Sequence, residues 1–292
     1  MALPPPSGIC HPEGMSIVIT QPQSPPTMMH HRILVGFDGS RGSVEAVHWA
    51  ACEAQRRSSA LGVMTCWAVP AHVDFYGVGA RQHQGLAAMV DDIRCRYPKL
   101  VIGATATHLD PRDALIAETE NADLLVIGST EMGVARQMLL GTVARTAARR
   151  SACPAVVVNG SGRRPIRRIV VGVDGSSAAA TALEWACDEA NLRGSVLCIV
   201  QAREAAQHEQ GRQVLDRAVA ECRSRTTTQV TAELVEGPAV AALIRASEDA
   251  DLVVIGSRGR SGFKTALFVS VALTVADESA CPVVITHLRN QA

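Results

Sequence analysis

Short aliphatic and β-branched runs alternate along the chain with longer stretches whose apolar positions recur at helical spacing. Ile33–Val35 and Ile169–Val171 are apolar throughout and run into glycine turns. In the stretches that follow, Val44, Val47 and Ala51 share one helical face, as do Ala179, Leu183, Ala186 and Ala190. Second strands fit Leu61–Ala68 and Val196–Ala202. Second helices carry Leu86, Met89, Val90 and Ile93, matched by Leu215, Ala218, Val219 and Cys222, both sets at i, i+3, i+4, i+7. Strands around Lys99–Thr105 and Gln229–Val235 precede third helices near Arg112–Thr119 and Ala239–Ser247. Then come Leu124–Ile127 and Leu252–Ile255, a last helix, and a final strand at Ala155–Val158 or Val283–Thr286. Strands that are apolar rather than alternating are buried on both faces, which implies a parallel sheet covered by helices. The order predicts βαβαβαβαβ twice, two doubly wound α/β domains.

The two halves are copies. Arg32-Ile-Leu-Val-Gly-Phe-Asp-Gly-Ser40 returns as Arg168-Ile-Val-Val-Gly-Val-Asp-Gly-Ser176, and AVHWAACEA at 46–54 returns as ALEWACDEA at 182–190. ADLLVIGS at 122–129 returns as ADLVVIGS at 250–257, and SACPAVVV at 151–158 as SACPVVIT at 279–286. The offset shortens between the second and third blocks, so the first copy carries extra residues. Pro70 to Gln84, with Phe75, Tyr76, Gly77 and Gly79, is the expected place, read as a loop. Domains are expected at 31–160 and 165–290, joined by a short polar linker. Residues 1–30, rich in proline, read as a disordered tail without the features of a signal peptide.

Composition then removes whole classes. Basic and acidic residues balance at 28 each, with no basic excess for a nucleic acid and none for an anionic membrane. No apolar run approaches the ~18–20 residues of a membrane span. Nine cysteines, with no C-x-x-C pair in a chain of this length, suit a reducing compartment and a cytoplasmic location. Cys52, Cys66, Cys187 and Cys198 read as small buried hydrophobes. No His/Cys cluster has zinc spacing.

Ligands of doubly wound sheets sit at the carboxyl ends of strands, beside the switch point. The loops after strands 1 and 4 are therefore the candidates. After strand 1 come Gly36, Asp38 and Ser40, and Gly172, Asp174, Ser176 and Ser177. A carboxylate there can accept from an amine or a ribose hydroxyl, and Ser40, Ser43, Ser176 or Ser177 can cap the next helix. The plainer reading is that Asp-Gly-Ser merely shapes the turn. After strand 4 come Gly128, Ser129 and Thr130, and Gly256, Ser257, Arg258 and Gly259, with Gly141-Thr142 and Val269-Ser270 expected to open the last helices. Glycines admit a phosphate to backbone N–H groups, and a helix N-terminus adds unpaired donors. A glycine turn with an N-cap explains the same residues. No Walker A loop, G-x-G-x-x-G fingerprint or G-x-S-x-G elbow occurs.

V-G-x-D-G-S, A-D-L-[LV]-V-I-G-S and S-A-C-P-[AV]-V, in order and twice, resemble the universal stress protein family in its tandem, actinobacterial form. The resemblance covers both repeats and implies Rossmann-like five-stranded domains. One branch of the family binds ATP through G-2x-G-9x-G-[ST] and the strand 1 aspartate. That resemblance would set Asp38 and Asp174 toward the adenosine, and the backbone after Gly128 or Gly256 toward the triphosphate, with Thr142 and Ser270 completing the phosphate site. The first copy has Glu131 for the middle glycine, a negative charge beside phosphates. The second keeps Gly256 and Gly259 but has Val269 for the third glycine, with Arg258 and Arg260 as cationic donors. The second domain is thus the expected ATP binder, with or without magnesium. The alternative is a dimerising adaptor of the same family that binds no nucleotide. An enzyme is not expected, because Glu131 is the lone candidate base beside the loop and no carboxylate pair is placed for magnesium. The family pairs domains through their last strands, which here predicts association of the two repeats and a homodimer through those strands.

Overall fold

The computed structural model describes residues 32–67, 75–131, 138–139, 141–160, 165–203, 208–257 and 265–288. The proline-rich tail, most of the linker, Arg258 and Gly259 lie outside these residues. The first copy runs β1 (Arg32–Gly36), α1 (Arg41–Arg57), β2 (Ala60–Cys66), α2 (Phe75–Arg96), β3 (Ile102–Thr107), α3 (Pro111–Glu118) and β4 (Leu124–Gly128). Two short strands, β5 (Thr130–Glu131) and β6 (Met138–Leu139), precede α4 (Thr142–Arg150) and β7 (Ala155–Val158). The second copy runs β8 (Arg168–Gly172), α5 (Ser177–Arg193), β9 (Val196–Arg203), α6 (His208–Arg225) and β10 (Val230–Glu236). It closes with α7 (Ala239–Glu248), β11 (Leu252–Gly256), α8 (Thr265–Glu278) and β12 (Val283–Thr286).

Each copy is a five-stranded parallel sheet, ordered β3-β2-β1-β4-β7 and β10-β9-β8-β11-β12. The first strand lies beside the second on one side and the fourth on the other, so the switch point falls between β1 and β4, or β8 and β11. The two sheets are continuous. β12 pairs antiparallel with β7, setting Val283 against Val157 and Ile285 against Ala155, and produces one ten-stranded sheet.

The apolar runs explain why the strands are central: Ile33, Leu34 and Val35, like Ile169, Val170 and Val171, are fully buried. Alternate residues enter opposite layers. Ile33 and Val35 enter the layer of α1 and α2, which continues into that of α5 and α6, while Leu34 enters the opposite layer, which runs from α3 and α4 to α7 and α8. Both layers run on from one copy to the other across the β7–β12 junction.

Four expectations change. The stretch read as a loop over 70–84 is helical from Phe75, with Gly79 beside the Trp67 ring; residues 70–74 lie outside the described residues. Strand 3 begins at Ile102, because Leu100 N–H donates to Tyr97 O at 3.0 Å and prolongs a turn. Cys52 is exposed, since its side of α1 faces solvent, and Cys66 is half-buried; Cys187 and Cys198 are buried. The last strands associate within the chain, as expected, and this bears on the homodimer expected through the same strands. Each then has a partner on both edges, β4 and β12 for β7, β11 and β7 for β12, which leaves no edge for the expected homodimer.

Candidate functional site

The turn after the first strand is built identically in both copies. Asp38 Oδ1 accepts the Ser40 N–H at 2.9 Å, and Asp174 Oδ1 accepts the Ser176 N–H at 2.9 Å. The intervening glycines, Gly39 at φ +81° and Gly175 at φ +79°, hold the left-handed conformation that makes this reach. Ser40 then caps α1 by accepting the Ser43 N–H, and Ser176 caps α5 by accepting the Ala179 N–H, each at 3.2 Å. Ser43 does not act as the cap. Its hydroxyl donates to Ser40 O at 2.9 Å and accepts the Asp38 N–H at 3.3 Å. Burial works to raise the Asp38 pKa, yet hydrogen bonds from Ser40 and Ser43 outweigh it and hold the carboxyl below the usual carboxylate value. Ser177 is the exposed first residue of α5.

The glycines ending the fourth strands have a packing role. A Cβ on Gly128 would stand 2.2 Å from Gly42 C and O, and one on Gly256 would stand 2.3 Å from Ala178 O. The first turn of α1 or α5 thus crosses directly over the end of β4 or β11. Gly36 and Gly172 are tight as well, their virtual Cβ atoms 3.2 and 3.1 Å from Leu115 and Leu243. Ser257 is buried, and its hydroxyl donates to Thr286 O at 3.0 Å, tying β11 to the end of β12. Ser129 is buried likewise, with its N–H on Val158 O at 3.1 Å.

Asp174 and Gly256, far apart in sequence, meet at one shallow cleft over the carboxyl ends of β8, β9 and β11. Gly172 and Ser176 complete that rim. Its walls are apolar and come from residues the sequence reading did not select: Val200 and Ala202 on β9, Leu243 on α7, and Val271 on α8. The order of strands was the available signal for the β9 pair, since strand 2 lies beside strand 1 and must flank the switch point.

The phosphate side departs from expectation in both copies. In the first, Gly141 is the N-cap residue of α4 with no side-chain cap, and Thr142 opens the helix, as expected. Thr130 and Glu131, however, pair antiparallel with Leu139 and Met138 in a small ladder. That pairing engages backbone the glycine loop would have left open; the Glu131 side chain lies outside the described residues. In the second, α8 already begins at Thr265, so Ser270 sits inside the helix rather than opening it. Val269 is compatible with that continuation, where a glycine would have disfavoured helix by ~1 kcal/mol. Arg258 and Gly259 lie outside the described residues. Among the described residues, no group of three or more His, Cys, Asp or Glu could hold a metal ion, and no helix is long and apolar enough to cross a membrane.

Comparison with known proteins gives a consistent result. A model of the Universal stress protein family matches residues 29–159 and again 165–287. A universal stress protein of Mycobacterium tuberculosis is 30% identical over 286 residues, which is 87% of this chain and 96% of that protein. One from Mycobacterium bovis is 26% identical over 287 residues, covering 88% and 97%. The crystal structure of a universal stress protein from Archaeoglobus fulgidus superposes with a TM-score of 0.72 at 20% identity, over 89% of this chain and 98% of that one.

Proposed function

Since the chain belongs to the universal stress protein family and is thereby placed in the stress response, we propose that it is a regulatory protein that binds an adenine nucleotide, ATP, in its second copy. One observation carries the reading: Asp174, Gly172 and Gly256 line a single cleft at the switch point of that copy. Val200, Leu243 and Val271 offer apolar walls to a planar base, and the Asp174 carboxylate is an acceptor for ribose hydroxyls or an exocyclic amine. The nucleoside half of ATP therefore fits the residues present. Its phosphates would leave past the carboxyl end of β11; Arg258 and Gly259, which follow in the sequence, lie outside the described residues. Magnesium, where it accompanies ATP, rides on the phosphates. The protein acts by binding rather than turnover, for Asp174 is the one carboxylate among the described residues lining the cleft. A cytoplasmic location accords with the free thiols.

The position of Ser270 inside α8 favours a second reading, an adaptor that holds no nucleotide. Calorimetric titration of the full chain with ATP, and with adenosine, separates the two. One site per chain is expected. Asp174→Asn keeps the acceptor for Ser176 N–H but removes the charge, and should weaken binding about tenfold, as loss of ~1.5 kcal/mol from a charge-assisted hydrogen bond implies. Asp38→Asn should leave that site unchanged. Absence of heat at millimolar ATP and adenosine would establish the adaptor instead.

A further inference from the structure

Two buried thiols meet in the seam between α5 and α6. Cys187 lies in the middle of α5 and Cys222 in the last turn of α6; both are fully buried and neither is in a disulfide. Both belong to the buried cluster that fills the space between these helices and the sheet. One turn to either side, polar contacts latch the same seam. Arg225 Nη1 donates to Glu184 Oε1 at 3.3 Å, Asn191 Nδ2 to Arg225 O at 3.0 Å, and Thr226 Oγ1 to Asn191 Oδ1 at 2.6 Å.

Packing does not require sulfur at this place. The corresponding positions in the first copy are Ala51 and Ile93, both fully buried in the equivalent seam of α1 and α2. The second copy has replaced an apolar pair by a dithiol while keeping the helix contact. The two sulfurs also differ. The neighbouring Cys222 thiol, aided by the Arg225 guanidinium and opposed by burial, holds the Cys187 thiol below its ordinary value; Cys187 and burial push Cys222 up. Cys187 is therefore the more nucleophilic thiol, and Cys222 stands ready to donate a proton.

We propose that Cys187 and Cys222 are an oxidation site, forming a reversible disulfide between α5 and α6 in response to hydroperoxides. The Cys187 thiolate attacks one peroxide oxygen and breaks the O–O bond, giving a sulfenic acid and hydroxide, or alkoxide from an organic peroxide. Cys222 then attacks the Cys187 sulfur; the S–S bond forms, the S–O bond breaks, and water leaves with the Cys222 proton. The two thiols lose two electrons and the peroxide gains them. Access would come through the end of α6, where Arg223, Ser224 and Arg225 are exposed and opening of a terminal helical turn costs least. An external dithiol reverses the reaction by exchange.

The test uses the reduced full-length chain, treated with hydrogen peroxide, alkylated, and mapped as peptides without reduction. The expected result is one cross-linked peptide pair joining Cys187 to Cys222, an intact mass lower by two hydrogens, and full reversal by dithiothreitol. Cys187→Ser and Cys222→Ser should each abolish the cross-link while exposed Cys52 and Cys95 oxidise as before. The double variant Cys187→Ala/Cys222→Ile copies the packing of the first copy, so it should fold and yet lose the peroxide-dependent mass change. Oxidation confined to Cys52 and Cys95, or a cross-link no more abundant than in urea-unfolded protein, would overturn the proposal.

Discussion

A Cβ on Gly256 would meet the Ala178 carbonyl oxygen at 2.3 Å, and one on Gly128 would meet the Gly42 carbonyl at 2.2 Å. Both obstacles are backbone, so no side chain can swing aside to make room. Forcing an extra carbon into such a contact costs ~1–3 kcal/mol or more. Gly128→Ala and Gly256→Ala should therefore each lower the urea midpoint with unchanged slope, whether or not nucleotide is present. If either variant keeps wild-type stability and loses only binding, these glycines serve the ligand and not the helix crossing. In the sequence the two glycines looked like phosphate-loop residues; the close helix crossing was invisible because it depends on how α1 and α5 lean over the sheet. Asp110 shows the reverse case, a short-range arrangement readable from Asp-Pro-Arg. It caps α3 by accepting the Arg112 N–H at 2.9 Å, and its carboxylate also holds the Arg112 side chain at 3.0 and 2.8 Å. Those bonds, the side-chain ones foremost, push its pKa from the ordinary 3.8 down to about 2. The folded value lies below the unfolded one, so the cap is at full strength above about pH 4 and fades as pH falls toward 2. An NMR titration of the Asp110 side chain should find its midpoint near 2; a midpoint near 4 would show that the Arg112 bonds do not persist in solution.

Elements whose identity rests on local pattern appear where the sequence places them. β7 and β12 span Ala155–Val158 and Val283–Thr286 as read, and Leu86, Met89, Val90 and Ile93 lie buried along α2. Elements that depend on a competing continuation do not. The last helices show this best: α4 starts at Thr142 behind Gly141, whereas α8 runs from Thr265 through Val269 and Ser270. A glycine there would withdraw ~1 kcal/mol of helix propensity, and the valine of the second copy carries less of that penalty. Val269→Gly should therefore shorten α8, exposing amides 265–269 to hydrogen exchange while those after Val271 stay protected. If ATP binding tightens in the same variant, the early helix start is what limits the phosphate side. Unchanged exchange over 265–269 would mean that packing, not the residue at 269, sets the start.

Across the whole molecule, repetition was plain in the sequence, but its structural consequence was not. Glu53 and Arg57 stand four apart on α1, as do Glu189 and Arg193 on α5, a spacing that alone suggests two exposed intrahelical pairs. Brought together by the β7–β12 pairing, they close a ring: each arginine bonds the glutamate of its own helix and that of the other copy. Both glutamates are 2% exposed. Burial, and then Glu53, push the Glu189 carboxyl up against the pull of Arg57 and Arg193. Such a ring adds little over an apolar seam, but removing one member leaves a buried charge unpaired at a cost of ~3–5 kcal/mol. Asn159 fastens the opposite layer, donating from Nδ2 to Ala276 O at 2.9 Å and Ser279 O at 3.2 Å, beside the Arg145–Asp277 ion pair. With both core layers shared and the ladder continuous, the peptide linker is not what joins the copies. Protease cleavage between 160 and 165 should leave the halves co-eluting in gel filtration and melting in one transition. The same cleavage in Glu53→Ala should release them at lower denaturant, because Arg193 then loses its partner across the seam. Separation of the wild-type halves at micromolar concentration would show that each copy folds alone and that the ten-stranded sheet is held only by its tether.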